Sequence, residues 1–294
     1  MTRAVMRSKA AALVAERDRT LVMGVVNVTP DSFSDGGMWF EPGAALAHGR
    51  DVLAAGADII DVGGESTRPG ADRPSVEEEL RRVLPVVHDL AEHGAIVSID
   101  TMRASVAAAA LDAGASVVND VSGGLADPEM VPVVIDAGVP YVAMHWRGHS
   151  ADMQSLAVYA DVVADVCREL ASRRDELLGA GLGEDLLVLD PGLGFAKTAD
   201  HNWSLLAALP ELHVLGHPIL LGASRKAFLG RLGRGAAEAP RPPAERDLET
   251  TATSVMAAMA GVWCVRVHDV ESTARVLAVV RAALDHHVAD EGGR

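Results

Sequence analysis

Residues 21–37 read LVMGVVNVTPDSFSDGG. The first six, Leu21-Val22-Met23-Gly24-Val25-Val26, are apolar without alternation, the pattern of a strand buried on both faces. The stretch turns polar at Asn27 and runs into a glycine-closed loop that holds Asp31, Ser32, Ser34 and Asp35. A buried strand that delivers carboxylates at its C-terminal end is how a parallel barrel places chemistry on one rim. Outward from this stretch, the same grammar recurs seven more times. Apolar runs at 57–62, 95–99, 116–121, 140–145, 186–190, 218–223 and 263–268 predict strands. Spaced apolar residues predict helices over 43–55, 75–93, 103–113, 128–137, 159–179, 200–209, 247–261 and 270–286, with a further helix beginning near Lys226. Small stop signals such as Ala55-Gly56, His93-Gly94, Ala113-Gly114 and Ala137-Gly138 stand just before the next strand.

Eight such alternations predict a single (β/α)8 TIM barrel over 21–290, with long mobile loops after strands 1 and 2. A doubly wound open sheet is the competing arrangement, and the even count and spacing favour the barrel. Residues 1–20 read as an N-terminal extension. Residues 233–246, GRGAAEAPRPPAER, read as an exposed irregular insertion within the seventh βα unit.

A chain of 294 residues can bury a core of this size. A formal charge of −15 argues against nucleic acid or an anionic membrane as the main partner, while leaving room for a locally basic pocket. The two cysteines, Cys167 and Cys264, have neither metal-type spacing nor a disulfide framework. No apolar run approaches the ~20 residues that span a bilayer, so the expected location is the cytoplasm.

The strand ends carry a one-sided inventory: Asn27, Asp61, Asp100, Asn119 with Asp120, His145, Asp190, Ser224-Arg225-Lys226, and Arg266 with His268. A barrel gathers these at one mouth. A lone one of them could be a helix cap, as Asp127 before Pro128 is expected to be, but the whole set cannot be caps. Asp100, Asn119 and Asp190 offer the acceptors and amide that suit the edge of a flat nitrogen heterocycle. Lys226, Arg225, Arg266 and His268 suit a phosphate or a carbonyl oxygen. Asn27 and the Asp31/Asp35 loop offer hard oxygen atoms to Mg²⁺. The chemistry points to a ring-bearing substrate with a phosphate-type leaving group and does not identify the ring. The Glu77-Glu78-Glu79 run reads as the first turn of a helix, where negative charge complements the dipole.

The ordered set of motifs resembles the dihydropteroate synthase family. Asn27-Val28-Thr29-Pro30-Asp31-Ser32-Phe33-Ser34-Asp35-Gly36-Gly37 is similar to its first signature, and residues 61–70, DVGGESTRPG, to its second. Ser98-Ile99-Asp100-Thr101, Asn119-Asp120, Met144-His145, residues 189–195 (LDPGLGF), Ser224-Arg225-Lys226 and Arg266-Val267-His268-Asp269 follow in the family's order. The resemblance covers about residues 21–285 and touches every strand. Two long loop signatures with six matching strand ends are far more specific than one short motif.

The resemblance implies a transferase that joins 6-hydroxymethyl-7,8-dihydropterin diphosphate to p-aminobenzoate, with Mg²⁺ as cofactor and a homodimeric assembly. It implies that Asp100, Asn119, Asp190 and Lys226 hold the pterin, with Met144 against its face and Asp61 on the diphosphate side. Asn27, Arg68, Arg266 and His268 would hold the pyrophosphate, with the metal at Asn27. Phe33, Thr67, Pro69, Phe195 and Lys226 would wall the p-aminobenzoate site, and Asp35 would face a developing cation. Many family members carry a serine after Ser-Arg-Lys that contacts the aminobenzoate carboxylate. Ala227 stands here, so backbone N–H groups at the expected helix N-terminus would have to serve. Two alternatives fit less of the sequence. A methyltetrahydrofolate-binding methyltransferase leaves Arg68, Ser224-Arg225-Lys226 and the Asp31/Asp35 loop unexplained, and a non-catalytic pterin-binding paralogue should have eroded loops.

Overall fold

The computed structural model describes residues 2–16, 18–29, 42–65, 73–149, 153–235 and 238–291. Among the described residues there are eight parallel strands: β1 (Leu21–Asn27), β2 (Ile59–Gly63), β3 (Val97–Asp100), β4 (Val117–Asp120), β5 (Tyr141–Met144), β6 (Leu187–Asp190), β7 (Leu220–Leu221) and β8 (Cys264–Val267). Their order is β6-β5-β4-β3-β2-β1-β8-β7. The remaining seam is closed between β6 and β7 by a parallel bridge from Leu189 to Ile219 and by the Leu189 N–H donating to the Pro218 carbonyl at 2.9 Å. Each strand is followed by a helix: α2 (Pro42–Ala54), α3 (Val76–Glu92), α4 (Ala104–Ala113), α5 (Met130–Ala137), α6 (Val162–Gly179), α7 (Ala199–Ala207), α8 (Asp247–Met259) and α9 (Val270–Glu291). The expected TIM barrel is therefore the observed fold.

Pleating sorts the strand residues into two cores. Leu21, Met23, Ile59, Val117, Val142, Val188, Leu220 and Cys264 fill the barrel interior. Their neighbours, including Val22, Ile60, Val97, Val118, Tyr141, Leu189, Leu221 and Val265, pack outward beneath the helices. Helices come close because the strands permit it. A Cβ on Gly24 of β1 would lie 2.3 Å from Val52 Cγ1 of α2 and 2.8 Å from Val270 Cγ2 of α9. Only a bare Cα leaves room for both helices there.

Several local expectations change. Residues 1–20, read as an extension, contain helix α1 (Arg3–Ala15), whose Ala10 and Val14 join the interior core. The Trp263 indole N–H donates to the Leu13 carbonyl at 2.7 Å and ties α1 under the barrel. No α-helix begins near Lys226; a turn leads to one short 3-10 segment, Leu229–Arg231. Gly230, Gly233 and Gly235 lower the helical preference of this run. Arg246 lies across Gly230, with its Nε donating to the Arg241 carbonyl at 2.7 Å. The helix N-terminus expected to compensate for Ala227 is thus absent.

Glu78 fits its reading, since Ser75 caps α3 by accepting the Glu78 N–H at 3.2 Å. Glu79 does not. It is fully buried and accepts Thr101 Oγ1–H at 2.7 Å and an Arg103 N–H at 2.6 Å. Asp127 does cap, but chiefly the other helix: its Oδ2 accepts the Ala104 N–H that opens α4 at 2.8 Å.

Candidate active site

The inward-facing register of the interior core continues to the C-terminal ends of the strands. Counting by two from those core residues arrives at Asn27, Asp61, Asp100, Asn119, Met144, Asp190, Gly222 and Arg266, with His268 one step beyond β8. The polar residues that matter are therefore brought to one mouth by the same alternation that fills the barrel.

On one side of this mouth a guanidinium joins two strands. Arg266 Nε donates to Asp61 Oδ2 at 2.6 Å, and another of its nitrogens donates to Asp100 Oδ2, also at 2.6 Å. Asn119 Nδ2 donates to the same Asp61 oxygen at 3.0 Å. Asp61 is fully buried, and its second oxygen, Oδ1, has no hydrogen-bond partner in the structure. A buried carboxylate oxygen without a donor is the mark of a site that expects one from a ligand. Burial pushes Asp100 up to about 7, against the pull of Arg266 and with Asp61 adding repulsion.

On the other side stand Asp190 and Lys226. Asp190 Oδ1 accepts the Gly192 N–H at 2.7 Å, and burial raises its pKa while Lys226 opposes the rise. Burial likewise pushes Lys226 down to about 8, with Asp190 opposing. The ammonium donates to the Leu193 carbonyl and lies 4.6 Å from the Phe195 ring centre. The two sides share one floor. A Cβ on Gly222 would lie 3.9 Å from Asp190 Oδ2 and 4.0 Å from both Lys226 Nζ and Arg266 Cβ.

Asn27 and Asp100 approach each other over Gly63, where an added Cβ would lie 3.6 Å from Asn27 Oδ1 and 3.5 Å from Asp100 Oδ2. Both atoms are hard oxygen donors, and no cluster of three His, Cys, Asp or Glu forms a metal cage among the described residues. That donor set fits Mg²⁺, which keeps waters and takes phosphate oxygens rather than demanding an all-protein shell. His268 is held by Ser224, whose Oγ lies 2.8 Å from the ring Nδ1 and accepts the His268 backbone N–H at 3.2 Å. Met144 is buried at the end of β5. Phe33, Asp31, Asp35, Thr67, Arg68 and Pro69 lie outside the described residues.

Three strand-end groups turn away from the mouth. Asp120, one residue beyond Asn119, faces outward and accepts Ser122 N–H at 2.7 Å, Gly124 N–H at 2.8 Å and Tyr141 O–H at 2.9 Å. Arg225 forms a two-pronged pair with Asp247 at the start of α8, both contacts at 2.8 Å. His145 is buried between Glu169 and Lys197. The pairing of Asp120 with the loop is readable from its adjacency to Asn119, because neighbours on a strand face opposite sides. Lys197, three positions past Gly194, carried no such signal.

These features define a class: a (β/α)8-barrel enzyme whose mouth holds carboxylates, an amide and cations for a charged, heterocyclic ligand. Residues 23–268 match the family of pterin-binding enzymes. The chain is 56% identical to the dihydropteroate synthase of Mycobacterium leprae over 264 residues, covering 90% of this chain and 93% of that one. The Yersinia pestis dihydropteroate synthase, solved with a sulfonamide drug, superposes with a TM-score of 0.86 at 40% identity, covering 92% of this chain and 96% of that one. The Xanthomonas albilineans enzyme with 4-aminobenzoic acid gives a TM-score of 0.83 at 44% identity, covering 92% and 97%. The same enzyme has been solved with 7,8-dihydropteroate, with a TM-score of 0.80 at 41% identity over 92% of this chain and 97% of that one. The chain belongs to the dihydropteroate synthase family of pterin-binding transferases.

Proposed function

We propose that this chain condenses 6-hydroxymethyl-7,8-dihydropterin diphosphate with p-aminobenzoate, giving 7,8-dihydropteroate and pyrophosphate by a dissociative path. The observation that carries the reading is the convergence of Asp61, Asp100, Asn119 and Asp190 with Arg266 and Lys226 on inward positions of one mouth. Relatives solved with 4-aminobenzoic acid and with 7,8-dihydropteroate support it.

Asp190, Asp100 and Asn119 hold the amino-pyrimidinone edge of the pterin, since carboxylates accept from its N–H groups in charge-assisted bonds. Lys226, near Asp190, serves the carbonyl side of the ring and also bounds the aminobenzoate site with Phe195. Met144 covers the face of the ring. Arg266 and His268, with Arg68 from the second loop, receive the diphosphate. Asn27 would hold Mg²⁺, which when bound would neutralise charge on a phosphate-type leaving group. Phe33, Thr67 and Pro69 complete the aminobenzoate wall from the two loops.

The dissociative path follows from the nucleophile. An aniline nitrogen shares its lone pair with its ring and attacks poorly, so departure of pyrophosphate ahead of attack asks less of it. The carboxylates near the methylene carbon, Asp35 among them, stabilise the positive charge that develops. The path requires that water, which would otherwise capture that carbon, be kept out. The test is turnover. Protein incubated with pterin diphosphate, p-aminobenzoate and Mg²⁺ is expected to release pyrophosphate and dihydropteroate in equal amounts. Folded protein that binds both substrates yet yields neither product refutes the reading.

A further inference from the structure

We propose that Lys197 is a positioning residue for the aminobenzoate subsite, gripping the loop after β6 from beneath so that Phe195 is presented to the mouth. The inference rests on the function proposed above and adds a residue to that site.

Lys197 is only 3% exposed, and its hydrogen bonds go to groups other than Asp61, Asp100, Asn119, Asp190 and Arg266, although its charge is felt at Asp190. Its Nζ donates to the Phe195 carbonyl at 3.1 Å and to His145 Nδ1 at 3.0 Å. The direction of the second bond follows from the far side of the ring, where His145 Nε2–H donates to the Glu169 carboxylate at 2.9 Å. Glu169 is itself fixed by Arg147, whose Nε donates to the same oxygen at 2.9 Å. A line of partners thus runs from the loop after β6, through the end of β5, to α6.

The loop needs such a hold. Ala196, between Phe195 and Lys197, has φ +48°, a left-handed conformation that a residue with a Cβ seldom adopts without external restraint. Its carbonyl accepts the Tyr159 O–H at 3.0 Å, and Arg147 covers the Tyr159 ring at 3.8 Å. Gly192 brings the loop directly onto β5, since a Cβ there would lie 2.6 Å from the His145 carbonyl and 3.3 Å from Met144 Cγ. On the opposite side, the loop meets Lys226, through the Leu193 carbonyl and the Phe195 ring. The segment is held between two lysines. One faces the mouth, and the other is buried behind it.

Burying an ammonium is unfavourable unless acceptors surround it, and an apolar side chain would fill the same space more simply. What the ammonium adds is a fixed carbonyl, and with it the direction of the Phe195 side chain. The effect is expected on the second substrate, whose wall Phe195 forms.

The test is Lys197→Met in the full-length protein, with both substrates varied. The expected result is a rise of about tenfold or more in KM for p-aminobenzoate, with KM for the pterin diphosphate and kcat within about threefold of wild type. A thermodynamic cycle separates positioning from general support. In a Phe195→Ala background, Lys197→Met should raise the aminobenzoate KM no further, because the ring it directs is gone. An unchanged KM, an equal rise in both backgrounds, or a joint loss in both KM values and kcat overturns the proposal. Should Lys197→Met fail to fold, Lys197→Leu, which likewise removes the donor, is judged by the same outcomes. Wild-type protein without turnover refutes the proposed function, whereas active wild type with an indifferent Lys197 variant refutes this inference alone.

Discussion

Replacing Asp100 by Asn should make the ligand-free protein more stable above neutral pH while weakening its grip on the pterin. Asp100 stands at the end of β3, bonded to Arg266 at 2.6 Å and close enough to Asp61 to compete with it for the one guanidinium. Burial lifts its pKa from an ordinary 3.8 to about 7. Between those values the unfolded chain has lost the proton while the folded chain keeps it. The unfolded state then binds fewer protons, so this group lowers stability as pH rises from about 4 to about 7 and contributes no further change above that. At 1.36 kcal/mol per pH unit the full span is roughly 4 kcal/mol, a figure that already includes the opposing pull of Arg266. Between pH 5 and 8 the realised part is on the order of 2 kcal/mol. Asn does not titrate, so any constant packing difference cancels when the pH dependence is compared. The assay is urea unfolding of wild type and Asp100→Asn at pH 5, 6, 7 and 8, at fixed ionic strength without ligand. The stability of the variant relative to wild type should climb by ~2 kcal/mol over that range. Parallel curves would refute the reasoning, showing that Asp100 is ionised throughout and that Arg266 outweighs its burial.

Asp190→Ala should weaken pterin binding by roughly tenfold to a hundredfold or more, because loss of a charge-assisted acceptor costs about 1.5–3 kcal/mol or more; unchanged calorimetric affinity would mean that the pocket is misassigned. Asp35→Ala is expected to reduce turnover far more than pterin affinity, as suits a group that acts on the developing cation, and equal losses in both would contradict that role. Tyr141→Phe removes a donor to the outward-facing Asp120 carboxylate, 2.9 Å away. It should cost about 1.5–3 kcal/mol of stability in urea with kcat/KM preserved. A fall in kcat/KM comparable to that of Asp190→Ala would show that Asp120 belongs to the mouth after all.

How far the sequence could be read depended on how local the cause was. Residues 21–26 are apolar because the strand is buried on both faces, and the observed β1, Leu21–Asn27, extends them by one residue, the polar Asn27. The seventh strand shows the limit. Six apolar residues, 218–223, suggested a strand like the others, but only Leu220–Leu221 pair as one. Composition fixes burial, whereas pairing length depends on how the last seam of the barrel meets the first. The turn at Lys226 is similar: its apolar spacing looked helical, yet Arg246 packing on Gly230 and the glycines after it belong to a different economy of contacts.

The sequence by itself determined the barrel, the mouth and the chemical character of the groups delivered there. These rest on periodicity and on residue type at strand ends, which short-range rules govern. Parity along each strand even separates Asn119 from Asp120. Tertiary structure alone decided who pairs with whom. Residue type alone marks Arg266 as a phosphate-binding cation, but in the folded chain it bridges Asp61 and Asp100, 205 and 166 residues away in sequence. Arg225 was expected among the anion-binding cations and instead braces Asp247. Lys197 carried no motif, and only the folded chain shows its ammonium buried against His145 and the Phe195 carbonyl. Such pairings are selected by the distance between side chains after closure of the barrel, and no local pattern encodes that distance. The loop that follows β1 begins from a strand end, Asn27, whose amide oxygen stands with Asp100 over Gly63 because two neighbouring strands share one register.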